Sequence, residues 1–306
     1  MDYLVLLLAV ICIAAQFNIN RAYQKKYIRG FKELIFFPFA CGMVNMVYFG
    51  VLSQVLYGGL PQITRFSVVM SATLGIVSVS VSIVGMQVMK FGNLSVYSVF
   101  MMLGGMILPF VYGVLFLDEY ITITRIAGLG LLVFALPCSV AKSADKNNLH
   151  KAIIPVFYLL CLLVFMANGT NSIISKAHAI NDAAVAPIHF VFLINLWQTI
   201  LSGVLFFTAR HRIRLANPGE STRTLEKTSI GILVPIVSFA LVSGTGFLFM
   251  VTAAQSVPAV VQFPFVTGGS IVLSTIGAWI LFKEKLSNLS LAGVGLAMVG
   301  TLFFLL

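Results

Sequence analysis

Ten apolar runs, each about 20 residues long, dominate this sequence. An α-helix of about 20 apolar residues crosses the ~30 Å hydrocarbon core of a bilayer. Water does not reach the backbone there, so a spanning segment must satisfy its own hydrogen bonds, as a helix does. We therefore predict an all-α integral membrane protein, multi-pass in the cell membrane, with ten transmembrane helices. The predicted spans are 3–20, 34–56, 66–89, 93–116, 122–141, 152–175, 187–209, 230–252, 258–282 and 287–306.

Very little sequence lies outside these runs. The longest polar stretch covers roughly 209–229, and only 9% of the residues are charged while 59% are hydrophobic. No extramembrane domain is therefore expected to hold a separate activity. Asp2 stands where a signal peptide would carry positive charge, and no small-residue cleavage site follows the first run. We expect the first helix to be retained.

A short sequence pattern occurs in both halves of the chain, just before the last span of each. Residues 119–131 and 284–296 are related by a shift of 165. The identical pairs are Glu119 with Glu284, Ala127 with Ala292, Gly128 with Gly293, Gly130 with Gly295 and Leu131 with Leu296. The chain therefore carries one membrane module twice.

The first span of each half also ends in a shared pattern, Asn-x4-Lys. It runs from Asn20 to Lys25 and from Asn171 to Lys176, at a shift of 151. Such a pair would be weak evidence alone, but it recurs at equivalent ends of the two modules. It supports the repeat.

The repeat predicts how the two halves are oriented. A first unit at 1–141 and a second at 152–306 each contain five spans, and the linker 142–151 joins them. Because five is odd, the second unit must enter the membrane in the opposite direction. The prediction is two inverted five-helix repeats related by a pseudo-twofold axis in the membrane plane.

Basic residues predict which connections face the cytoplasm. Of the 19 Lys and Arg residues, all but Arg65, Arg125 and Lys176 lie in or beside the odd-numbered connections between spans. Short loops rich in Lys and Arg stay in the cytoplasm. This bias predicts cytoplasmic odd-numbered connections and external termini, and it explains the net charge of +10 without nucleic acid as a partner.

The chain resembles the drug/metabolite transporter superfamily, specifically its ten-span EamA-like branch. The features that carry the resemblance are the two glutamate junctions with their glycines, the two lysines that close the first span of each half, and the layout of five spans plus five spans. The resemblance covers essentially the whole chain. It implies a helical bundle around a central cavity that opens alternately to either side. It also implies export of amino acids or related metabolites. Proteins of this branch commonly keep both termini in the cytoplasm, which is opposite to the orientation that the charge bias predicts.

Each glutamate junction has a structural and a functional interpretation. Glu119 with Thr122, and Glu284 with Ser287, precede the last helix of their half, where a carboxylate and a hydroxyl satisfy exposed N–H groups. We expect capping, with a gate contact to a basic residue as the alternative. The glycines of these helices are expected to allow close helix packing. For the small residues of span 3, packing and cavity lining are the alternatives; they are Ser71, Gly75, Ser78 and Ser82.

Carboxamide side chains deep within the spans are the strongest functional signal. An amide without a partner in hydrocarbon costs several kcal/mol, so it must face another helix or a cavity. Interhelical hydrogen bonds are the alternative to ligand binding at each position. The predicted substrate-binding residues are Gln16, Asn20, Asn45, Tyr97, Asn168, Asn171, Asn195, Gln198 and Gln262.

Charged side chains are missing from the middle of the spans. All nine acidic residues lie at or near span ends, and the first span has no carboxylate of the kind that small multidrug exporters of this superfamily use for cations. That argues against export of cationic drugs. Lys25, Lys176 and His189 suit an anionic group at a gate, with snorkelling to the interface as the alternative for the lysines.

The sequence does not favour catalysis. The four histidines lack metal-ligand spacing, no acidic pair faces a span interior, and the four cysteines, all within spans, form no zinc or disulfide pattern. We expect no catalytic residue, no metal and no cofactor. The predicted partners are a small-molecule solute and the lipid bilayer. A non-transporting membrane scaffold and an exporter of drug-like compounds remain as alternatives to a metabolite carrier.

Overall fold

The computed structural model describes residues 2–27, 31–91, 94–140, 154–216, 230–282 and 288–305. These residues form ten α-helices with short connections, so the predicted all-α class is confirmed. The helices are α1 Asp2–Tyr27, α2 Phe31–Tyr57, α3 Arg65–Phe91, α4 Leu94–Phe116, α5 Ile123–Val140, α6 Ile154–Ala179, α7 Pro187–Ala216, α8 Ile230–Ala253, α9 Ala259–Phe282 and α10 Asn288–Leu302.

Seven of the helices are long and apolar enough to cross a membrane. They are α1, α2, α4, α6, α7, α8 and α9. In the other three, the apolar segments within the fully described residues are Arg65–Val81, Ile123–Cys138 and Asn288–Leu302. Two helices run furthest past their predicted spans, since α1 continues to Tyr27 and α7 to Ala216. A helix end can continue beyond the bilayer, where polar side chains are solvated.

Most helices of the first half, α1–α5, pack against helices of the second half, α6–α10. Helix α2 packs against α7, α4 against α9 and α5 against α10, so each of these helices contacts the one five places later. Helix α1 packs on α8 and α9, and α6 correspondingly packs on α3 and α4. The main apolar core lies where α1, α4, α5, α9 and α10 meet. Most of the packing therefore joins one half to the other.

The α2–α3, α4–α5, α6–α7 and α8–α9 connections meet at one end of the bundle, which we call the even end. The Thr64 hydroxyl donates to the Ala183 carbonyl at 3.0 Å, which joins α2–α3 to α6–α7. Ser53 bonds both the Gly59 carbonyl and the ring of His189. The Glu119 carboxylate joins the α4–α5 and α8–α9 connections.

The glycines predicted to pack helices divide into two groups. A Cβ on Gly128 would lie 2.8 Å from the Gly300 carbonyl oxygen, so α5 and α10 contact each other there through their backbones. Gly130 and Gly295, by contrast, have no described neighbour within 4 Å of such a Cβ. In the Gly-x-Gly pattern of α5, Gly128 therefore allows close packing against α10, whereas Gly130 contacts no neighbouring helix among the described residues.

The four cysteines lie inside the bundle. Cys12, Cys41, Cys138 and Cys161 are free thiols, each within a helix. The part of the chain that the structure describes contains no group of three His, Cys, Asp or Glu side chains arranged to hold a metal ion.

Candidate functional site

A cavity of about 400 Å³ lies in the interior of the bundle, lined by α1, α2, α3, α4, α6, α7, α8 and α9. Its size is within the range of small-molecule sites. Six of the predicted carboxamides line it: Gln16, Asn45, Asn168, Asn171, Asn195 and Gln198. Amide side chains from four helices therefore converge on one space, which is what the cost of burying them in lipid predicts.

Hydroxyl groups complete the polar lining, and most of them could not be identified from the sequence. The hydroxyl-bearing residues are Ser78, Ser172, Ser175, Ser243, Thr267 and Ser270. Serine and threonine are common in membrane helices because their hydroxyls can bond the backbone of their own helix. The shift of 165 is the one signal that could have found Ser243, since it places Ser243 at the position equivalent to Ser78.

Hydrogen bonds across the helix interfaces fix several of these side chains. The Asn168 amide donates to the Met101 carbonyl of α4 at 2.7 Å, and Ser172 donates to the Gly105 carbonyl at 3.3 Å. Asn195 donates within its own helix, to the Val191 carbonyl at 2.8 Å. The cavity wall formed by α4 and α6 is therefore held by side-chain bonds to backbone.

Two amide oxygens of the cavity lining are buried and have no hydrogen-bond partner among the described residues. They are Oδ1 of Asn45, a side chain that is only 5% exposed, and Oδ1 of Asn171. A buried acceptor left unpaired costs about 1–3 kcal/mol. Such orphaned atoms in a binding cavity are places where a ligand can donate a hydrogen bond.

Three of the predicted substrate-binding residues lie away from the cavity lining. Gln262 is fully buried between helices, where its amide donates to the Met250 carbonyl at 2.7 Å. Tyr97 packs on the apolar cluster around Phe157 and Cys161. Asn20 lies in α1, beyond the residues of that helix that reach the cavity.

Glu119 caps a helix, but not the one that follows it in the chain. Its two carboxylate oxygens accept hydrogen bonds from the backbone N–H groups of Ala259 and Val260, at 2.7 and 2.8 Å, where α9 begins. The expected cap of α5 is instead made by Thr122, whose hydroxyl accepts from the Arg125 N–H at 3.3 Å. The correction is that the carboxylate of the first half caps a helix of the second half.

Lys176 lies beside this cap, in the α6 end that reaches the even end. Its ammonium donates to the carbonyls of Ala254 and Val257, at 2.9 and 2.8 Å, and lies 3.9 Å from Oε1 of Glu119. The residue is 4% exposed. Lys176 therefore neither snorkels to an interface nor lines the cavity; it holds the turn between α8 and α9 and pairs with a carboxylate from the other half.

The structure places the predicted gate residue His189 away from the cavity and does not describe the side chain of Lys25. His189 is 1% exposed and bonds Ser53 through Nδ1 at 3.2 Å, and its ring centroid lies 4.7 Å from that of Tyr57 at a tilted angle. It therefore joins α7 to α2 at the even end and does not line the cavity. The side chain of Lys25 lies outside the described part of the structure, as do Glu284 and Ser287.

Comparison with known proteins shows the fold and no more. No protein-family model and no curated protein matches the chain. Solved structures do match: one crystal structure is similar over 99% of this chain and 95% of its own, with a TM-score of 0.72 and 11% sequence identity. At that identity the similarity extends to the arrangement of helices across the whole length.

Proposed function

We propose that this protein is a ten-span carrier that moves a small polar organic solute, an amino acid or related metabolite, across the cell membrane by alternating access. The observation that carries the proposal is the cavity in the bundle interior, which is lined by uncharged polar side chains from both halves of the chain. Carriers built from inverted repeats bind their solute near the bilayer midplane, at the interface between the repeats.

Equivalent positions of the two halves line this cavity. At the shift of 165 that relates the glutamate junctions, each of the five lining residues of α3 and α4 corresponds to a lining residue of α8 or α9. The pairs are Leu74 with Phe239, Ser78 with Ser243, Met101 with Val266, Met102 with Thr267 and Gly105 with Ser270. This correspondence supports an axis through the cavity and hence two inverted repeats.

The helix packing supports the same architecture. The largest interfaces are those expected from exchanging the two halves, as in α2 with α7 and α5 with α10. Of the other three helices, α5 and α10 pack on each other, and α3 packs on α6 and α7 as α8 packs on α1 and α2. We propose that they span as well, which gives ten transmembrane helices.

The even end provides a closed gate in this proposal. Thr64 of the first half bonds Ala183 of the second, and Glu119 of the first half caps α9 of the second. Rocking of one half against the other separates groups at one end while those at the other end approach. The contacts of Thr64 and of Lys176 are those expected to break when the even end opens.

Two other functions are less well supported. A scaffold needs no polar cavity whose lining repeats between halves. A carrier for cationic drug-like compounds needs a carboxylate in the cavity to hold the charge, and none of the described lining residues is acidic.

Locking the even end tests the proposal without knowledge of the solute. In a background lacking the four native thiols, a cysteine at Ser243 in the cavity is expected to react with an impermeant maleimide added to either face of the membrane. Oxidising an added cysteine pair at Thr64 and Ala183 is expected to restrict the reaction to one face, and reduction to restore it. A cysteine at Phe134, whose side chain is 71% exposed on α5, is the lipid-facing control and should not react.

A static scaffold predicts a different pattern. Its cavity cysteine reacts from one face at most, and oxidation of the pair at the even end changes nothing. That result would reject the carrier.

The charge bias makes a separate prediction about orientation. A cysteine at Arg212, at the end of α7, is expected to be shielded from an impermeant thiol reagent in intact cells, and one at Asp182, in the α6–α7 connection, is expected to react. The two sites lie at opposite ends of one helix, so each is the control for the other. The reverse labelling would place the termini in the cytoplasm, as is usual for the EamA-like branch.

A further inference from the structure

The cavity lining has no charge with which to hold a charged ligand. Among the described residues, no Asp, Glu, Lys, Arg or His side chain lines the cavity. Lys176, the predicted contact for an anion, is already engaged by Glu119 and two backbone carbonyls. An ion that moves from water into a cavity lined by neutral groups loses part of its hydration and gains no counter-charge, which disfavours its binding.

Several oxygen atoms of the lining can accept a hydrogen bond from a ligand. The hydroxyl protons of Ser175, Ser243 and Ser270 are given to carbonyls of their own helices, so their lone pairs are what they can offer a ligand. The Oδ1 atoms of Asn45 and Asn171 accept no hydrogen bond from the part of the chain that the structure describes. A ligand that donates hydrogen bonds satisfies these oxygens, whereas a ligand with only acceptors leaves them unpaired.

The other part of the lining is apolar and aromatic. Phe17, Phe239, Phe247 and Phe263 face the cavity, together with three methionines. Aromatic rings prefer to pack on an apolar ring or chain, and methionine adapts to its shape. The site therefore combines an apolar surface with hydrogen-bond acceptors.

We infer that this cavity selects uncharged solutes that carry hydrogen-bond donors beside an apolar ring or chain, such as primary carboxamides, over anions, cations and zwitterions. This inference rests on the proposed function and narrows it. It disfavours free amino acids, because their carboxylate and ammonium would both enter without a counter-charge.

A matched series of ring compounds tests the inference with the intact protein. The probes are 2-phenylacetamide, phenylacetate, 2-phenylethylamine and phenylalanine, which at pH 7 are neutral, anionic, cationic and zwitterionic. A ligand that binds the folded state raises its apparent melting temperature by mass action, so Kd follows from the concentration dependence. We expect 2-phenylacetamide to bind at least tenfold more tightly than the other three.

The donor requirement is tested with N,N-dimethyl-2-phenylacetamide, which keeps the ring and carbonyl but has no N–H. It is expected to bind at least tenfold more weakly than the primary amide. Asn171→Leu and Asn45→Leu should reduce this discrimination to less than threefold. Gln54→Leu, at an exposed position of α2, is the control and should retain it.

Several outcomes would overturn the inference, and they need only the parental protein. Binding of any charged probe as tight as that of the primary amide would overturn it, and so would equal binding of the dimethyl amide. Failure of the primary amide to stabilise the protein would overturn it as well. The labelling experiment with Ser243 needs no ligand, so it decides separately whether the protein is a carrier.

Discussion

Replacing Glu119 with alanine is expected to lower the free energy of unfolding by about 3–5 kcal/mol, the range measured when one partner of a buried ion pair is removed. The carboxylate accepts hydrogen bonds from the first two N–H groups of α9, and both lose their partner. The ammonium of Lys176 remains buried with only the Ala254 and Val257 carbonyls for support. Unfolding in mixed micelles with increasing SDS measures the loss.

Matched variants separate the charge from the cap. Glu119→Gln removes the charge and keeps one acceptor oxygen, so an intermediate loss is expected. Adding Lys176→Met to Glu119→Gln should recover part of it, because no charge is then buried alone. Asp118→Asn is the control: the residue has a φ of 50°, which asparagine tolerates, and it is exposed.

One result would contradict the prediction for Glu119→Ala. A loss no larger than that of Asp118→Asn would mean that water replaces the carboxylate at the start of α9. The cap would then contribute nothing to the join between the two halves.

Gly104→Ala is expected to be the most damaging substitution of a single methyl group in the bundle. A Cβ at this position would lie 2.7 Å from both the Cα and the carbonyl carbon of Phe165, and closer still to its carbonyl oxygen. These are backbone atoms of α6, so no rotamer change relieves the clash. Overpacking of this kind costs about 1–3 kcal/mol where side chains adjust, and more where the backbone must move.

The contact is mutual, which strengthens the expectation. A Cβ on Gly169 of α6 would lie 2.7 Å from the Gly104 carbonyl oxygen. Separating α4 from α6 would also stretch the bond between Asn168 and the Met101 carbonyl, so the cavity should widen. We expect a loss of at least 3 kcal/mol in the free energy of unfolding.

Gly295→Ala is the control for this prediction. A Cβ there meets no described atom within 4 Å. Alanine is the better helix former by roughly 0.5–1 kcal/mol, so this variant should be as stable as the parent or more so. Equal behaviour of Gly104→Ala and Gly295→Ala would show that the helices separate without cost, contrary to close packing through glycine.

The polar residues within the spans predicted which side chains face the interior of the bundle. They could not predict which of those side chains line a cavity and which pack between helices. Asn168 and Gln262 each donate to a backbone carbonyl at 2.7 Å, yet one lines the cavity and the other is packed between helices. Both arrangements give the amide N–H a partner in a neighbouring helix, so a single sequence does not distinguish them. The hydroxyls of Ser243 and Ser270 bond carbonyls of their own helices, which any serine in a helix can do. The sequence therefore does not indicate which face of the helix they occupy.

The Glu119 cap could not be predicted for a different reason. Capping patterns in a sequence report local contacts, and the local contact here belongs to Thr122. The carboxylate bonds Ala259, which is 140 residues away in the chain. Only the three-dimensional arrangement of the halves brings the two together.

That separation of 140 residues has a consequence for how the protein is made. A ribosome completes the first five helices long before the start of α9 exists, so the nascent first half holds a carboxylate whose partners have not yet been synthesised. The first half therefore enters the membrane unfinished, and its last junction reaches its final state only when the penultimate helix arrives. Cut at the linker, neither fragment would contain a complete folding unit.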